Sequence, residues 1–190
     1  KGRRRVQRKE GKAKKYTAGK SVHTRPASIE RRSEFGHFEV DTVESGRNGT
    51  GCVFTIAERK TRMLFACRAE SCTAENFYNT LKRLIKILPP GTIKSLTGDR
   101  GKEFAWYQKI ENELRIPFYF ADPHSPWQKG SNENTNGLLR ENFPKKTNFS
   151  TVTQRDLYWK GVYRINNRPR KVLGWKTAQE CFAEELRNSA

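Results

Sequence analysis

The sequence predicts an α/β domain, with a mixed five-stranded sheet flanked by helices and a basic, disordered N-terminal tail. Two observations carry this prediction. Three short strand-like segments joined by tight turns are followed by alternating strand and helix patterns, an order typical of a mixed sheet with helices on its faces. The chain also opens on KGRRRVQRKEGKAKK, a stretch with almost no apolar side chains, which cannot build a core of its own.

The positive charge is concentrated at the start of the chain. Residues 1–32 hold 13 Lys or Arg and two acids, which is +11 of the total net charge of +18. We therefore expect a basic tail or linker over 1–32, a folded domain over 33–182 and a short C-terminal tail over 183–190. Such a tail favours a polyanionic partner, most simply nucleic acid, bound through its phosphates. The alternative is a tail that keeps the protein in solution or localises it and has no specific partner.

The first three predicted strands form an antiparallel meander. GHFEVDTVE, at residues 36–44, alternates between apolar and polar side chains, and GRNGTG after it is typical of a turn. CVFTIAER at 52–59 and MLFACRAE at 63–70 are the second and third strands, joined by a short connection. Short strands with such close turns pair most simply with their neighbours in sequence.

Strand and helix patterns alternate after the meander. Thr73 can cap a helix that ends at PPG, and apolar side chains recur on one face of it at Ala74, Phe77, Tyr78, Leu81, Leu84, Ile85 and Leu88. TIKSLTGD is the fourth strand and IPFYFAD the fifth. Helices are predicted near 103–114, at 131–143 after the loop PHSPWQKG, near 153–165 and at the C-terminal end.

Three isolated acids fall where such a fold could bring them together. Asp41 lies in the first strand, Asp99 follows the fourth strand in a glycine-flanked turn, and Glu133 lies in the helix at 131–143. If the first and fourth strands are neighbours, both aspartates reach the carboxyl edge of the sheet, where α/β sheets place their sites. Helical spacing places four residues on one polar face of this helix: Glu133, Asn136, Gly137 and Arg140.

Three converging carboxylates repel one another unless cations lie among them. Oxygen ligands favour Mg²⁺ or Mn²⁺, and two such ions about 3.5–4 Å apart promote in-line attack at a phosphodiester. Each acid could instead be an ordinary surface group or cap. Asp41 is the hardest to explain in that way, since an acid in an apolar strand is usually paired or functional.

The segments around these acids resemble the DDE transposases and retroviral-type integrases, and most closely the IS-thirty family of insertion-sequence transposases. The resemblance covers residues 33–182 through HFEVDTV, LTGDRGKEF, ADPHSPWQKGSNENTNGLLRENFPK and INNRPRKVLGWKTAQECF. The 33 residues between Asp99 and Glu133 agree with that family's spacing. The resemblance implies a ribonuclease-H-like fold.

The resemblance also implies a function and a site. Asp41, Asp99 and Glu133 would be the catalytic residues that bind the metal ions, and Arg140 would contact DNA at the transposon end. Such enzymes hydrolyse a strand at the element's end and transfer the freed 3′-hydroxyl into target DNA. The partners implied are double-stranded DNA and further copies of the chain, as a dimer or higher oligomer, in the bacterial cytoplasm with the nucleoid.

Other side chains are candidates for DNA contact. They are His124, Trp127, Lys129, Lys102, Arg168, Arg170 and Lys171. His124 could instead hold its loop, Trp127 could pack that loop on the core, and the basic side chains could be solvated charges. Basic side chains on phosphates would position DNA without reading its bases.

Other functions and sites remain as alternatives or are excluded. The alternatives are a nuclease that cuts without joining and a non-catalytic DNA-binding remnant.

No run of 18 apolar residues occurs, which excludes a membrane-spanning helix. The four cysteines lack a zinc-binding spacing and are expected to be free thiols in a reducing cytosol. Because the chain begins at Lys1, and IS-thirty transposases carry an N-terminal helix-turn-helix region that is not visible here, we expect a piece of a longer protein.

Overall fold

The computed structural model describes residues 19–46, 49–123 and 125–189. Its strands are β1 (Lys20–Ser21), β2 (His37–Glu44), β3 (Cys52–Glu58), β4 (Leu64–Ala69), β5 (Ser95–Gly98) and β6 (Phe118–Phe120). They form one mixed sheet in the order β1-β6-β5-β2-β3-β4. The predicted meander is β2, β3 and β4, which pair antiparallel, whereas β5, β6 and β1 run parallel to β2.

The helices alternate with the later strands as predicted. They are α1 (Ala27–Glu30), α2 (Ala74–Ile87), α3 (Tyr107–Lys109), α4 (Gly130–Asn142), α5 (Gln154–Asp156), α6 (Tyr163–Asn166) and α7 (Ala178–Ser189). π-helical residues extend α3 over Ile110–Leu114 and join α5 to α6 over Leu157–Val162. The predicted α/β class is therefore confirmed. Within the described part of the chain, no helix is long and apolar enough to span a bilayer.

The sheet has six strands where the sequence predicted five. The additional strand, β1, lies in the segment predicted as the end of the tail and pairs with the edge of β6. A strand of two residues is too short to show alternating apolar and polar side chains, so the sequence pattern could not predict it. Val22 and Ile29, which follow it in the chain, are buried in the core. The segment 20–32 therefore contains β1 and α1. Residues 1–18 lie outside the described residues, and the division of the chain at residue 32 stays a prediction.

The C-terminal end is a helix where we expected a tail. α7 runs to Ser189 and so includes most of the segment 183–190. Phe182 on this helix is buried and makes edge contacts with Phe35 and Phe65, whose ring centroids lie 5.2 and 5.5 Å away. Aromatic packing of this kind holds α7 on the sheet.

The two faces of β2 explain how the sheet presents its acids. Phe38 and Val40 point into a large core with α2. The alternate residues point to the other face, where Val43 packs in a second cluster with Leu139 of α4. Because successive side chains on a strand alternate, Glu39 and Asp41 lie on the same face as α4.

The register of β2 and β5 brings the two predicted aspartates together. The strands are parallel neighbours, with Glu39 opposite Thr97. Continuing that register by two residues places Asp41 beside Asp99, just beyond the end of β5. The condition under which the two aspartates would meet, that these strands are neighbours, is therefore met.

Close packing around Gly98 leads to a first prediction. A Cβ added there would lie 2.9 Å from Cζ of Phe118 and 3.0 Å from Cγ2 of Val40, both fully buried. We expect Gly98→Ala to lower the free energy of unfolding by about 1–3 kcal/mol, the usual cost of overpacking. Urea denaturation measures this change.

The matched control is Gly137→Ala in α4. A Cβ at Gly137 would meet no described atom within 4 Å apart from the adjacent residues and the backbone of its own helix, and Ala favours a helix over Gly by up to about 1 kcal/mol. Equal stabilities of the Gly98→Ala variant and the unmodified chain would contradict the tight fit between β5, β6 and β2.

Candidate catalytic site

Asp41 and Asp99 are oriented by backbone amides. The amide of Thr42 donates to Oδ1 of Asp41 at 2.9 Å, and the amide of Gly101 donates to Oδ1 of Asp99 at 2.9 Å. Asn136 on α4 adds a further bond, from its side-chain nitrogen to Oδ2 of Asp41 at 3.0 Å. Each carboxylate therefore has a defined direction, and that of Asp41 is set jointly by β2 and α4.

Glu133 faces the same cavity as the two aspartates. It lies in the first turn of α4 and is exposed. The cavity, which we call the acidic cavity, has a volume of about 690 Å³. Its charged and amide side chains are Asp41, Asp99, Glu103, Asp122, Glu133, Arg100, Lys129 and Asn136. The fold thus gathers the three predicted acids around one opening at the carboxyl edge of the sheet.

Lys129 lies between the two aspartates. Its Nζ is 3.0 Å from Oδ2 of Asp99 and 3.4 Å from Oδ1 of Asp41, and the residue is 9% exposed. The alternative that Lys129 is a solvated charge is therefore wrong. Burial opposes the charge on Lys129, but the two carboxylates raise the pKa of its ammonium group. Burial raises the pKa of Asp41, and Lys129 counteracts part of that shift.

The carboxylate and amide oxygens around the acidic cavity suit a hard divalent cation, although the carboxylates do not lie close enough together to coordinate one in the present conformation. Among the residues the structure describes, no three Asp, Glu, His or Cys side chains gather closely enough to hold a metal ion. The Lys129 ammonium supplies positive charge between Asp41 and Asp99 instead. Buried Oδ1 of Asn136 accepts no hydrogen bond from any of the described residues. Carboxylate and amide oxygens of this kind fit Mg²⁺ or Mn²⁺.

A buried ion pair positions α4 on the sheet, and the sequence did not reveal it. Nη1 of Arg59 lies 2.5 Å from Oε1 of Glu39, and Oε2 of Glu39 accepts from the amide of Asn132 at 2.9 Å. Glu39 is fully buried and Arg59 nearly so. A carboxylate at a helix N-terminus satisfies a free N–H group and interacts favourably with the helix dipole. Glu39 thereby fixes the turn of α4 that carries Glu133.

One signal for this pair was present in the sequence. Glu39 and Asp41 are two residues apart on a strand, so they share a face, and the sequence offered no cation beside them. The partner, Arg59, follows β3, and its amide donates to the carbonyl of His37 at 2.9 Å. Arg59 reaches Glu39 only through the pairing of β2 with β3, which the spacing along the chain does not disclose.

Arg140 lies away from the acidic cavity. Its Nη2 donates to the carbonyl of Glu44 at 2.8 Å, and Nη1 donates to the carbonyl of Pro144 at 3.3 Å. The guanidinium group therefore ties the end of α4 to the end of β2. The predicted contact of Arg140 with DNA stays a prediction.

The other candidate DNA contacts occupy different surroundings. Trp127 is 72% exposed, so its indole does not pack the loop onto the core. Lys102, Arg168 and Lys171 are exposed and do not line the acidic cavity, whereas Arg170 is half-buried. His124 lies outside the described residues. The roles of these residues in DNA binding stay predictions.

The fold and this cavity define an integrase core. The family described as "Integrase core domain" matches residues 31–126, and the chain belongs to that family. The chain is 37% identical over 181 residues to the transposase InsI for insertion sequence element IS30A of Escherichia coli (strain K12). This match covers 95% of the chain and 46% of that protein, so the chain spans about half the length of the curated relatives it matches. The resemblance to the IS-thirty family is confirmed.

Solved structures share the fold at lower sequence identity. The catalytic core domain of BIV integrase has a TM-score of 0.64 at 17% identity, covering 82% of this chain and 99% of that one. The HTLV-2 integrase catalytic core domain in complex with magnesium, in a trimeric form, has a TM-score of 0.56 at 15% identity, covering 76% and 93%. These similarities confirm the ribonuclease-H-like architecture.

The position of Lys129 leads to a second prediction. We expect Lys129→Gln to lower the free energy of unfolding without metal by about 1–2 kcal/mol, because half-buried Asp41 loses its cation. The same change should increase the rise in melting temperature produced by millimolar Mg²⁺, since the ammonium group no longer competes for the carboxylates. Differential scanning calorimetry with and without Mg²⁺ measures both effects.

The control is Lys160→Gln, which removes an exposed ion pair with Asp156 of 2.8 Å. It should change neither the stability nor the response to Mg²⁺ measurably. If Lys129→Gln behaved like this control, Lys129 would not be the ion that balances the two aspartates.

Proposed function

We propose that the chain is the metal-dependent catalytic domain of a DNA transposase. It hydrolyses a strand at the transposon end and transfers the resulting 3′-hydroxyl end into target DNA. The observation that carries this proposal is the meeting of Asp41, Asp99 and Glu133 around one acidic cavity in a chain with a net charge of +18. A strongly basic protein with an acidic centre is suited to hold DNA and act on its phosphodiesters.

Asp41, Asp99 and Glu133 would hold Mg²⁺ or Mn²⁺, and two ions are expected. Magnesium in the related HTLV-2 core supports this choice of metal. When bound, a pair of such ions activates an attacking oxygen and stabilises a leaving oxygen in an in-line displacement. Both hydrolysis and strand transfer are displacements of this type at phosphorus.

Hydrogen bonds within the protein orient the acids of this site before DNA binds. The amides of Thr42 and Gly101 fix the directions of the two aspartates, and Asn136 orients Asp41 from α4. Glu39 holds the N-terminus of α4 in place. Lys129 neutralises the aspartates and, once released from them, is positioned to contact a phosphate at the cavity. Such preorganised groups lower the cost of ordering the site during the reaction.

The partner we propose is double-stranded DNA, both at the transposon ends and at the target. Joining two ends to one target favours a homodimer or higher oligomer, and the trimeric form of the related HTLV-2 core is in keeping with such assembly. For a bacterial element the substrate lies in the cytoplasm, with the nucleoid. Arg140, Lys102, Trp127, His124, Arg168, Arg170 and Lys171 remain candidates for contacts with this DNA.

A strand-joining assay tests the proposed function. Labelled duplexes that end in the element's terminal repeats are incubated with the chain, plasmid target DNA and Mg²⁺ or Mn²⁺. We expect cleaved strands and labelled joint molecules, both lost on addition of EDTA. Cleavage without joining would favour the nuclease alternative, and DNA binding with neither reaction would favour the non-catalytic remnant.

A further inference from the structure

A second, basic pocket lies at the N-terminus of α4. It has a volume of about 230 Å³ and is lined by Arg32, Arg62, Arg170, Gly130, Ser131, Asn134 and Val172. We call it the arginine pocket. Its three guanidinium groups come from distant parts of the chain, since Arg32 follows α1, Arg62 lies in the turn between β3 and β4, and Arg170 follows α6.

Among the described residues, no carboxylate forms an ion pair with any of the three arginines. No acid of residues 19–46, 49–123 or 125–189 lines the arginine pocket. All three are half-buried. Burial and the neighbouring charge of Arg32 lower the pKa of Arg62 to about 10, and the more distant carboxylates of Glu39 and Glu58 offset only part of that shift. Like charges held together at partly buried positions are costly unless an anion compensates them.

Two of the guanidinium groups are nevertheless held in position. Nη1 of Arg62 donates to the hydroxyl of Ser131 at 2.9 Å, and Ser131 is buried. Nη2 of Arg170 donates to the carbonyl of Ile165 at 3.1 Å. These neutral partners orient the arginines without neutralising them. The N-terminus of α4 lies at the same place, but Glu39 already accepts from its Asn132 amide, so the arginines themselves supply the positive charge of the pocket.

We propose that the arginine pocket binds a backbone phosphate of DNA, in addition to the DNA held at the acidic cavity. Arginine's planar group of donors suits the oxygens of a phosphate. Ser131 and Asn134 of α4 face the arginine pocket, whereas Glu133 and Asn136 face the acidic cavity. The two sites thus lie on different sides of the start of α4, so DNA lying over this end of the helix would contact both.

This inference rests on the proposed function, because it takes DNA as the substrate. The test therefore measures DNA binding in an Asp41→Asn background, in which strand cleavage plays no part. Arg32→Gln is the first variant, because the side chain of Arg32 makes no hydrogen bond to the described residues and its loss should leave the fold intact. The control is Arg187→Gln, which removes an equal charge from an exposed position on α7.

We expect Arg32→Gln to weaken binding to a duplex about fivefold at 150 mM salt, uniformly across sequences. The slope of log affinity against log salt concentration should become shallower by about 0.9, the value for one phosphate contact. Arg187→Gln should change neither quantity by as much. Equal effects of the two variants would overturn the proposal, because the pocket would then contribute only general charge.

A second measurement separates DNA from free phosphate as the ligand. Inorganic phosphate should raise the melting temperature of the chain more than chloride at the same ionic strength, and Arg32→Gln should remove that difference. A phosphate effect with unchanged DNA affinity would overturn the assignment to DNA. If wild-type chain bound DNA through this pocket but cleaved nothing, the proposed catalytic function would fail while this inference stood.

Discussion

Replacing Asp41 by Asn should reduce metal-dependent strand cleavage by at least about 10³-fold, because a lost metal ligand removes several kcal/mol of transition-state stabilisation. The substitution keeps the shape of the side chain and its capacity to accept from the amide of Thr42. It removes one negative charge from the pair that Lys129 balances. We therefore expect the fold and DNA binding to persist while cleavage and joining are both lost.

The assay needs a control for the loss of one acid. Asp156→Asn removes a carboxylate that pairs with Lys160 on the surface, far along the chain from the acidic cavity. That variant should cleave at the rate of the unmodified chain. Metal-dependent cleavage by the Asp41→Asn variant within tenfold of the unmodified rate would exclude Asp41 as a catalytic ligand.

Replacing Glu39 by Gln should produce the largest loss of stability. The buried guanidinium of Arg59 would lose its nearest carboxylate, while its other contacts are the carbonyls of Ile29 and Gln128 and the more distant Glu30. Removal of one member of a buried ion pair typically costs about 3–5 kcal/mol, because the remaining charge is left uncompensated. Urea denaturation at neutral pH measures the change in free energy of unfolding.

A double substitution separates the ion pair from simple packing. Glu39→Leu combined with Arg59→Met should recover part of the stability lost by either single change, since apolar residues of similar size can replace a buried pair. The surface control is Glu184→Gln, which breaks the exposed pair with Lys176 and should have no measurable effect. A loss no larger than that of the control would show that Glu39 and Arg59 are not a buried pair.

The Glu39→Gln substitution should also affect the candidate catalytic site. Because Glu39 accepts from the amide of Asn132, its loss frees the turn of α4 that carries Glu133. At a temperature where the Glu39→Gln variant is still folded, we expect slower cleavage with unchanged DNA affinity. Glu39 would then be a positioning residue, acting through Glu133 rather than on the DNA.

The acids and the main strands could be predicted from the sequence, because their signals are local or follow general rules. Alternation identified β2, and the rule that parallel strands bring their carboxyl ends to one edge placed Asp41 near Asp99 on the condition that β2 and β5 are neighbours, which the structure shows. Helical spacing put Glu133 on the polar face of α4. The strand and helix assignments needed only short segments, whereas the adjacency of β2 and β5 was an assumption and the shared catalytic role of the three acids was implied by the family resemblance.

The compensating charges could not be predicted in the same way. Lys129 and Arg59 find their acids through contacts between elements, and a lysine before a helix has the same local pattern whether it is solvated or buried. The strand β1 has only two residues, so its pairing with β6 is decided by the neighbouring core. The arginine pocket combines residues 32, 62 and 170, which no motif links.

The most direct test of the account is a crystal structure of the chain with Mn²⁺ and DNA, in which anomalous scattering locates the ions. We predict Mn²⁺ in the acidic cavity, where Asp41, Asp99 and Glu133 would hold it, with Nζ of Lys129 moved away from the aspartates. Mn²⁺ bound elsewhere, with Lys129 still bridging Asp41 and Asp99 in the DNA complex, would contradict a shared metal site for the three acids.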